Sequence, residues 1–152
     1  MAAGYLLDTN IASCIIKGNS PAVDRRLVKV PMAQLAISAV TEGELRFGAA
    51  RLPHAARLHA MIEDFFLRVA IFPWDSDAAR QYGQLRATLE RDGEPMGNLD
   101  VMIAAQALAV GAVLVRTWRA RFLEAHVIAQ MRSGANALAC GCCHHVGHRG
   151  GA

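Results

Sequence analysis

The chain has 152 residues, of which 53% are hydrophobic and 19% charged, and its formal net charge is +3. This length favours a single domain with a sizeable core, and the composition excludes a chain that is disordered throughout. Residues 1–115 hold 11 Lys and Arg against 12 Asp and Glu, whereas residues 116–152 hold 5 against 1. Because all the positive excess lies in the tail, the net charge does not indicate that the first part binds a polyanion.

The sequence shows no sign of export or of a membrane anchor. No basic segment precedes the first apolar run, and Asp8 interrupts that run at once. The longest uncharged apolar stretch is the 15 residues 101–115, shorter than the roughly 20 that span a bilayer. Four cysteines, three of them within residues 140–143, do not form a disulfide framework for a domain of this size. We therefore expect a soluble cytoplasmic protein.

Short apolar segments alternate with helical patterns along the first 115 residues. Strands are predicted at residues 4–7, 35–38, 69–72 and 112–115. Helices are predicted at residues 11–16, 21–30, 40–50, 55–67, 78–91 and 98–110, and the pattern of residues 118–131 is compatible with one more. The alternation predicts an α/β domain with a mostly parallel sheet. After residue 133 the chain has no period and is not expected to pack.

Three acidic residues fall where the strands and helices of such a sheet meet. Asp8 follows the first strand, Glu44 lies in the first turns of the helix after the second, and Asp100 lies in the first turn of the helix before the fourth. Open parallel sheets form their sites at the carboxyl edge of the strands. Three carboxylates in one cleft repel one another unless a cation is present, and their oxygens suit Mg²⁺ or Mn²⁺. Such a site can hydrolyse a phosphodiester bond with metal-activated water.

Each carboxylate also has a purely structural explanation. Asp8 can be the N-cap of the helix that follows it, and Asp100 lies where the helix dipole favours an acid. Glu44 stands three residues after Thr41, which is the spacing of a capping box. These explanations account for each residue singly, but not for the convergence of all three at one sheet edge.

Three segments resemble the PIN-domain nucleases, especially the VapC toxins of bacterial toxin–antitoxin pairs. They are Tyr5-Leu6-Leu7-Asp8-Thr9-Asn10, Ile37-Ser38-Ala39-Val40-Thr41-Glu42-Gly43-Glu44-Leu45 and Asn98-Leu99-Asp100-Val101-Met102-Ile103-Ala104-Ala105-Gln106-Ala107-Leu108. The likeness covers about residues 4–115, in the family's order and at similar spacing. It implies a three-layer α/β/α sandwich with a mostly parallel central sheet, and a nuclease domain at residues 1–115.

The resemblance also implies an activity and the residues that carry it. The activity is endonucleolytic cleavage of RNA, dependent on Mg²⁺ with Mn²⁺ as a substitute, by the toxin of a toxin–antitoxin pair. By match to the motifs, Asp8, Glu44 and Asp100 are the catalytic, metal-binding carboxylates. The side chains that orient them are, by the same match, Asn10 and Ser38 or Thr41.

Partners follow from the same resemblance. The family implies a structured RNA such as tRNA or rRNA as substrate, a VapB-like antitoxin that lies along the nuclease, a homodimer, and no membrane. Leu58, Met61 and Phe65 recur at helical spacing and are candidates for the dimer surface. The alternative is that these three side chains simply belong to the core.

The likeness ends near residue 115, where the family normally continues with a Thr-x-Asp-like motif. This chain reads Arg116-Thr117-Trp118-Arg119 instead, and it has no Asp after Asp100. An alternative function is therefore a catalytically impaired relative that retains antitoxin or RNA binding. Cysteines and histidines at 140–148 have poor spacing for zinc, because adjacent ligands rarely converge on one ion.

We hypothesise that a frameshift near codon 115 replaced the original C-terminus with the atypical basic tail of residues 116–152. The Arg, Ala, Gly, Cys and His content of this tail resembles out-of-frame reading of a GC-rich gene. We expect one of the other two reading frames to encode a Thr-x-Asp motif and a closing strand. A gene in which neither frame encodes them would refute the hypothesis.

Overall fold

A computed structural model of the chain describes residues 4–27, 29–94 and 96–116. The strands are β1 (Tyr5–Leu7), β2 (Leu35–Ser38), β3 (Ala70–Phe72) and β4 (Val113–Val115). The helices are α1 (Thr9–Lys17), α2 (Pro21–Leu27), α3 (Ala39–Ala50), α4 (Ala56–Phe66), α5 (Ser76–Arg91) and α6 (Asn98–Val110). The strands and helices predicted within residues 4–116 are thus confirmed in type and order. The helix considered at residues 118–131 and the rest of the tail lie outside the described residues.

The four strands form one parallel sheet in the order β3-β2-β1-β4. In β1, Leu6 pairs with Ala36 of β2 on one side and with Leu114 of β4 on the other. The first strand of the chain therefore lies inside the sheet, and β3 and β4 form its edges. The prediction of a mostly parallel sheet is confirmed.

Helices cover both faces of this sheet. Because side chains alternate along a strand, Leu7 belongs to one core cluster and Leu6 to another. The first cluster draws on β1, β2 and the helices α1 to α4, and its larger members are Leu7, Ile11, Ile16, Leu35, Ile37, Leu45, Ile62 and Phe65. The second joins the sheet to α6 through Leu6, Ala36, Ile103, Ala107 and Ala112. The predicted α/β/α sandwich is confirmed by these layers.

The helix α6 is apolar around most of its circumference because it packs between the sheet and α5. Ile103 contacts the sheet, whereas Val101 packs with Leu85 and Leu89 of α5. The chain leaves α6 through Gly111, whose φ of 65° is a left-handed conformation that favours glycine. Within the described residues, no helix is long and apolar enough to span a membrane.

The end of α2 and the start of α5 differ from the sequence prediction. The helix expected at residues 21–30 ends at Leu27, and Lys29 and Val30 lie outside it. The helix expected from residue 78 begins at Ser76. Its N-cap is Asp75, whose Oδ1 accepts a hydrogen bond from the backbone N of Ala78 at 2.9 Å.

The three residues considered for a dimer surface pack inward. Phe65 is buried, and Leu58 and Met61 lie against the same core cluster. These contacts support the core explanation for all three side chains. The homodimer itself stays a prediction, with its surface to be sought elsewhere on the molecule.

Replacing Leu6 by Ala tests the central position of β1. Leu6 is 0% exposed, and its loss leaves a cavity between the sheet and α6. We expect the free energy of unfolding to fall by about 2–5 kcal/mol in urea titrations. The control Leu67→Ala changes a side chain that is 87% exposed and is expected to cost less than about 0.5 kcal/mol. Equal losses in the two variants would contradict this packing.

Candidate active site at the carboxyl edge of the sheet

Asp8 stands directly after β1 and begins α1. Its Oδ1 accepts a hydrogen bond from the backbone N of Ile11 at 2.7 Å, and the residue is 6% exposed. Its own backbone N donates to the carbonyl oxygen of Val115 at 2.9 Å, next to the last pair of the β1–β4 ladder. The N-cap explanation for Asp8 is therefore confirmed, and the carboxylate lies at the carboxyl edge of the two central strands.

Glu44 lies in the second turn of α3, and its side chain reaches the start of α1. The hydroxyl of Thr9 donates a hydrogen bond to Oε2 of Glu44. Since Thr9 is the neighbour of Asp8 in the chain, this bond brings Glu44 to the same end of β1. Thr9 is not among the residues that the sequence pattern predicts for the site, although it stands between Asp8 and Asn10 in the first motif.

The capping-box explanation for Glu44 is wrong. The N-cap of α3 is Ser38, whose Oγ accepts a hydrogen bond from the backbone N of Val40 at 3.1 Å. Thr41 lies inside the helix and is fully buried, and its hydroxyl has no hydrogen-bond partner among the described residues. Glu44 is therefore not held by a cap at Thr41; among the described residues, its side chain accepts a hydrogen bond from Thr9.

Asp100 lies in the first turn of α6 and is exposed. A short turn at Gly111 joins α6 to β4, so α6 runs against β4 and begins near the carboxyl edge of the sheet. The N-cap is Gly97, which offers no side-chain hydrogen bond, and a Cβ at that position would stand 3.2 Å from Oδ2 of Asp100. The carboxylate thus folds back over the start of its own helix, where the helix dipole favours negative charge.

The structure brings Asp8 and Glu44 together through Thr9 and places Asp100 on a different element that begins near the same edge. In the part of the chain that the structure describes, no three Asp, Glu, His or Cys side chains are close enough to hold a metal ion. A single metal site formed by Asp8, Glu44 and Asp100 therefore stays a prediction.

The donor chemistry nevertheless suits a hard cation. Among the described residues, neither Glu44 nor Asp100 forms an ion pair with a basic side chain. Glu44 is bonded instead to a neutral hydroxyl, which leaves its negative charge uncompensated. Carboxylate oxygens without a basic partner are the ligands that Mg²⁺ and Mn²⁺ prefer.

The orienting side chains predicted from the motifs have different surroundings. Ser38 is fully buried and caps α3, Thr41 is buried within α3, and Asn10 is exposed on α1. Among the described residues, no hydrogen bond joins these three side chains to Glu44 or Asp100. Their orienting roles stay predictions.

Replacing Thr9 by Val tests the link between α1 and α3. Val keeps the branched shape but cannot donate to Glu44, so we expect the free energy of unfolding to fall by about 1–2 kcal/mol. Thr9→Ser keeps the hydroxyl and is expected to lose less. Urea titration of both variants measures the difference, and a Val variant as stable as the parent would show that the bond from Thr9 to Glu44 does not stabilise the fold.

Comparison with known proteins identifies the family. The PIN domain family matches residues 5–137. The tRNA(fMet)-specific endonuclease VapC of Shigella flexneri is 40% identical over 111 residues, which are 73% of this chain and 83% of that protein. Ribonuclease VapC2 of Haemophilus influenzae is 33% identical over the same shares of the two chains.

Solved structures show the same fold. VapBC2 from Rickettsia felis, bound to a DNA fragment from its promoter, matches with a TM-score of 0.73 and 27% identity over 81% of this chain and 93% of that one. DNA-bound VapBC from Salmonella typhimurium matches with a TM-score of 0.71 and 30% identity over 89% and 96%. With the family matched over most of its length and VapC ribonucleases among its relatives, this chain belongs to the PIN-domain family.

Proposed function

We propose that this chain is a metal-dependent endoribonuclease that acts as the toxin of a toxin–antitoxin pair. The observation that carries the proposal is the bond from Thr9 to Glu44, which brings Glu44 to the residue beside Asp8 at the end of β1. Asp100 begins α6 near the same edge of the sheet. The relatives named VapC are an endonuclease and a ribonuclease, which supports the same reaction class.

The residues that would hold Mg²⁺, or Mn²⁺, are Asp8, Glu44 and Asp100. When bound, the ion would supply an activated water and offset negative charge on the phosphodiester. The chain contributes orientation: the backbone N of Ile11 fixes one oxygen of Asp8, and Thr9 fixes one oxygen of Glu44. Both bonds hold the carboxylates before any ligand arrives, which lowers the cost of ordering them on binding.

The proposed substrate is a structured RNA such as tRNA or rRNA. The Shigella flexneri relative is named for tRNA(fMet), which supports this class. A VapB-like antitoxin is the proposed protein partner, because solved relatives of this chain are VapBC proteins. We further propose a cytoplasmic homodimer.

A catalytically impaired relative is the competing function. The specific observation in its favour is the sequence after β4, where Arg116 stands in place of the family's Thr-x-Asp-like motif and no later Asp occurs. Such a protein would keep its antitoxin or RNA binding without cleaving RNA. The two functions differ in whether Asp8, Glu44 and Asp100 suffice to hold the ion.

Induced expression of the chain and of Asp8→Asn in a bacterial host decides between them. Asn keeps the oxygen that caps α1 but removes the charge, so the variant is expected to fold like the parent. We expect growth arrest with the parent chain and normal growth with Asp8→Asn. The purified variant should cleave RNA at least about 100-fold more slowly than the parent. That is a larger loss than expected when only a residue that hydrogen-bonds to a metal ligand is removed.

Asp75→Asn is the matched control. Asp75 caps α5 by the same geometry, with its Oδ1 accepting from a backbone N at 2.9 Å, but it follows β3 at the edge of the sheet. This variant is expected to arrest growth like the parent. Normal growth with folded, abundant parent protein, and no RNA cleavage in Mg²⁺ or Mn²⁺, would refute the enzyme and favour the impaired relative.

A further inference from the structure

We propose that Arg86 of α5 is a positioning residue that holds the first turn of α6, and through it Asp100, in place. Its guanidinium crosses from α5 to Asn98, the first residue of α6, and donates from Nη1 to Oδ1 of that side chain. Asn98 precedes Asp100 by two residues in the same helical turn. This role rests on the proposed function, in which Asp100 is a metal ligand.

The first turn of α6 has few other constraints. Its N-cap is Gly97, so no side chain caps the helix. Asp100 forms no recorded hydrogen bond or ion pair with another side chain of the described residues, and its carboxylate lies over the start of the helix. The position of that carboxylate is therefore set by the position of the turn. Two contacts fix the turn to α5: the apolar packing of Val101 against Leu85 and Leu89, and the hydrogen bond from Arg86 to Asn98.

Arg86 is itself held on both sides by its own helix. Nη1 also donates to the hydroxyl of Tyr82 at 2.7 Å, four residues before it, and Nε donates to Oε1 of Glu90 at 2.8 Å, four residues after it. The bond to Tyr82 first, and that to Glu90 second, raise the pKa of the guanidinium. The side chain is thus charged and fixed along α5 before it reaches Asn98.

The same chain of contacts extends back to the sheet. The rings of Tyr82 and Trp74 meet edge to face, with centroids 6.2 Å apart and an angle of 77°. Trp74 lies in the short connection between β3 and α5. Below this polar layer, Leu85 and Leu89 pack against Val101 and Ala104 of α6. The apolar contacts hold the two helices together, and the polar layer fixes the end of α6 that carries Asp100.

The variant Arg86→Met removes the donors but keeps most of the length of the side chain. The direction of its effect on Mn²⁺ affinity distinguishes a positioning role from a simple charge effect. Removing a positive charge near carboxylates would by itself strengthen cation binding, because a repulsion disappears. A positioning role predicts the opposite, a weaker affinity for Mn²⁺ by about 10-fold, as for the loss of an outer partner of a metal ligand.

Three further variants isolate the contact. Arg80→Met removes another arginine of α5 whose recorded partner is Asp77 of the same helix, and it should leave Mn²⁺ affinity unchanged. Glu90→Gln weakens a partner of Arg86 that is not on α6 and should also leave the affinity unchanged. Asn98→Ala removes the acceptor, and the double variant with Arg86→Met should bind no more weakly than either single one, because both remove the same bond.

The measurements are Mn²⁺ titration by calorimetry, urea unfolding, and hydrogen exchange of the Val101 amide, which bonds to the carbonyl oxygen of Gly97 at 3.0 Å. We expect Arg86→Met to unfold at the same urea concentration as Arg80→Met. Its Val101 amide should exchange about two- to fivefold faster, the range for loss of an exposed contact.

Unchanged or tighter Mn²⁺ binding by Arg86→Met, with parent protein that binds Mn²⁺ through Asp8, would overturn the positioning role and leave the proposed function intact. Parent protein that binds no Mn²⁺ would overturn the proposed function, and with it the claim that Arg86 positions a metal ligand. If the Val101 amide then also exchanges at the same rate in Arg86→Met and Arg80→Met, the claim that Arg86 fixes the first turn of α6 is refuted as well.

Discussion

The parallel pairing of β1 with a strand on each side is the constraint on which the candidate site depends. β2 and β4 are fixed to β1 residue by residue, and the bond from the backbone N of Asp8 to Val115 continues the pairing past the strand end. α3 begins where β2 ends, and α6 leads directly into β4. The ladder therefore sets where Glu44 and Asp100 can lie relative to Asp8. Side-chain contacts at this edge refine positions that the backbone has already limited.

The main elements of the fold could be predicted from the sequence because they depend on local patterns. Buried strands appear as short apolar runs, and α6 appears as a long apolar segment closed by Gly111. The predicted start of a helix differs from the structure where a side-chain cap sets it, as with Asp75 before α5. The strand order β3-β2-β1-β4 has no local signal, because it joins residues that are far apart in the chain.

In the candidate site, too, local patterns could be predicted from the sequence and contacts between distant residues could not. Asp8, Glu44 and Asp100 could be selected because each stands just before or in the first turns of a predicted helix, near the edge where open sheets form their sites. The contact of Thr9 with Glu44 could not, because it spans 35 residues and depends on how α1 packs beside α3. The contact of Arg86 with α6 could not be predicted from the sequence for a related reason. On α5 alone it is an ordinary surface arginine between Tyr82 and Glu90, and its contact with Asn98 exists only because the two helices pack together.

A structural role and a chemical role are compatible in Asp8. Capping α1 engages Oδ1, which is one of the two oxygens of the carboxylate. The cap therefore fixes the rotation of the side chain that a ligand would meet. The N-cap role of Asp8 and its proposed metal-binding role are therefore compatible, because the cap fixes the orientation of the carboxylate that would bind the ion.

The position of β1 also has a consequence for synthesis. A ribosome makes this strand first, but its partner β4 comes about a hundred residues later in the chain. Until then, of the described strands, only β2 can pair with β1, and β3 can pair with β2. A nascent chain therefore lacks one side of the carboxyl edge. The candidate site at this edge is therefore completed only after synthesis has passed β4, and it cannot form on the part of the chain that is made first.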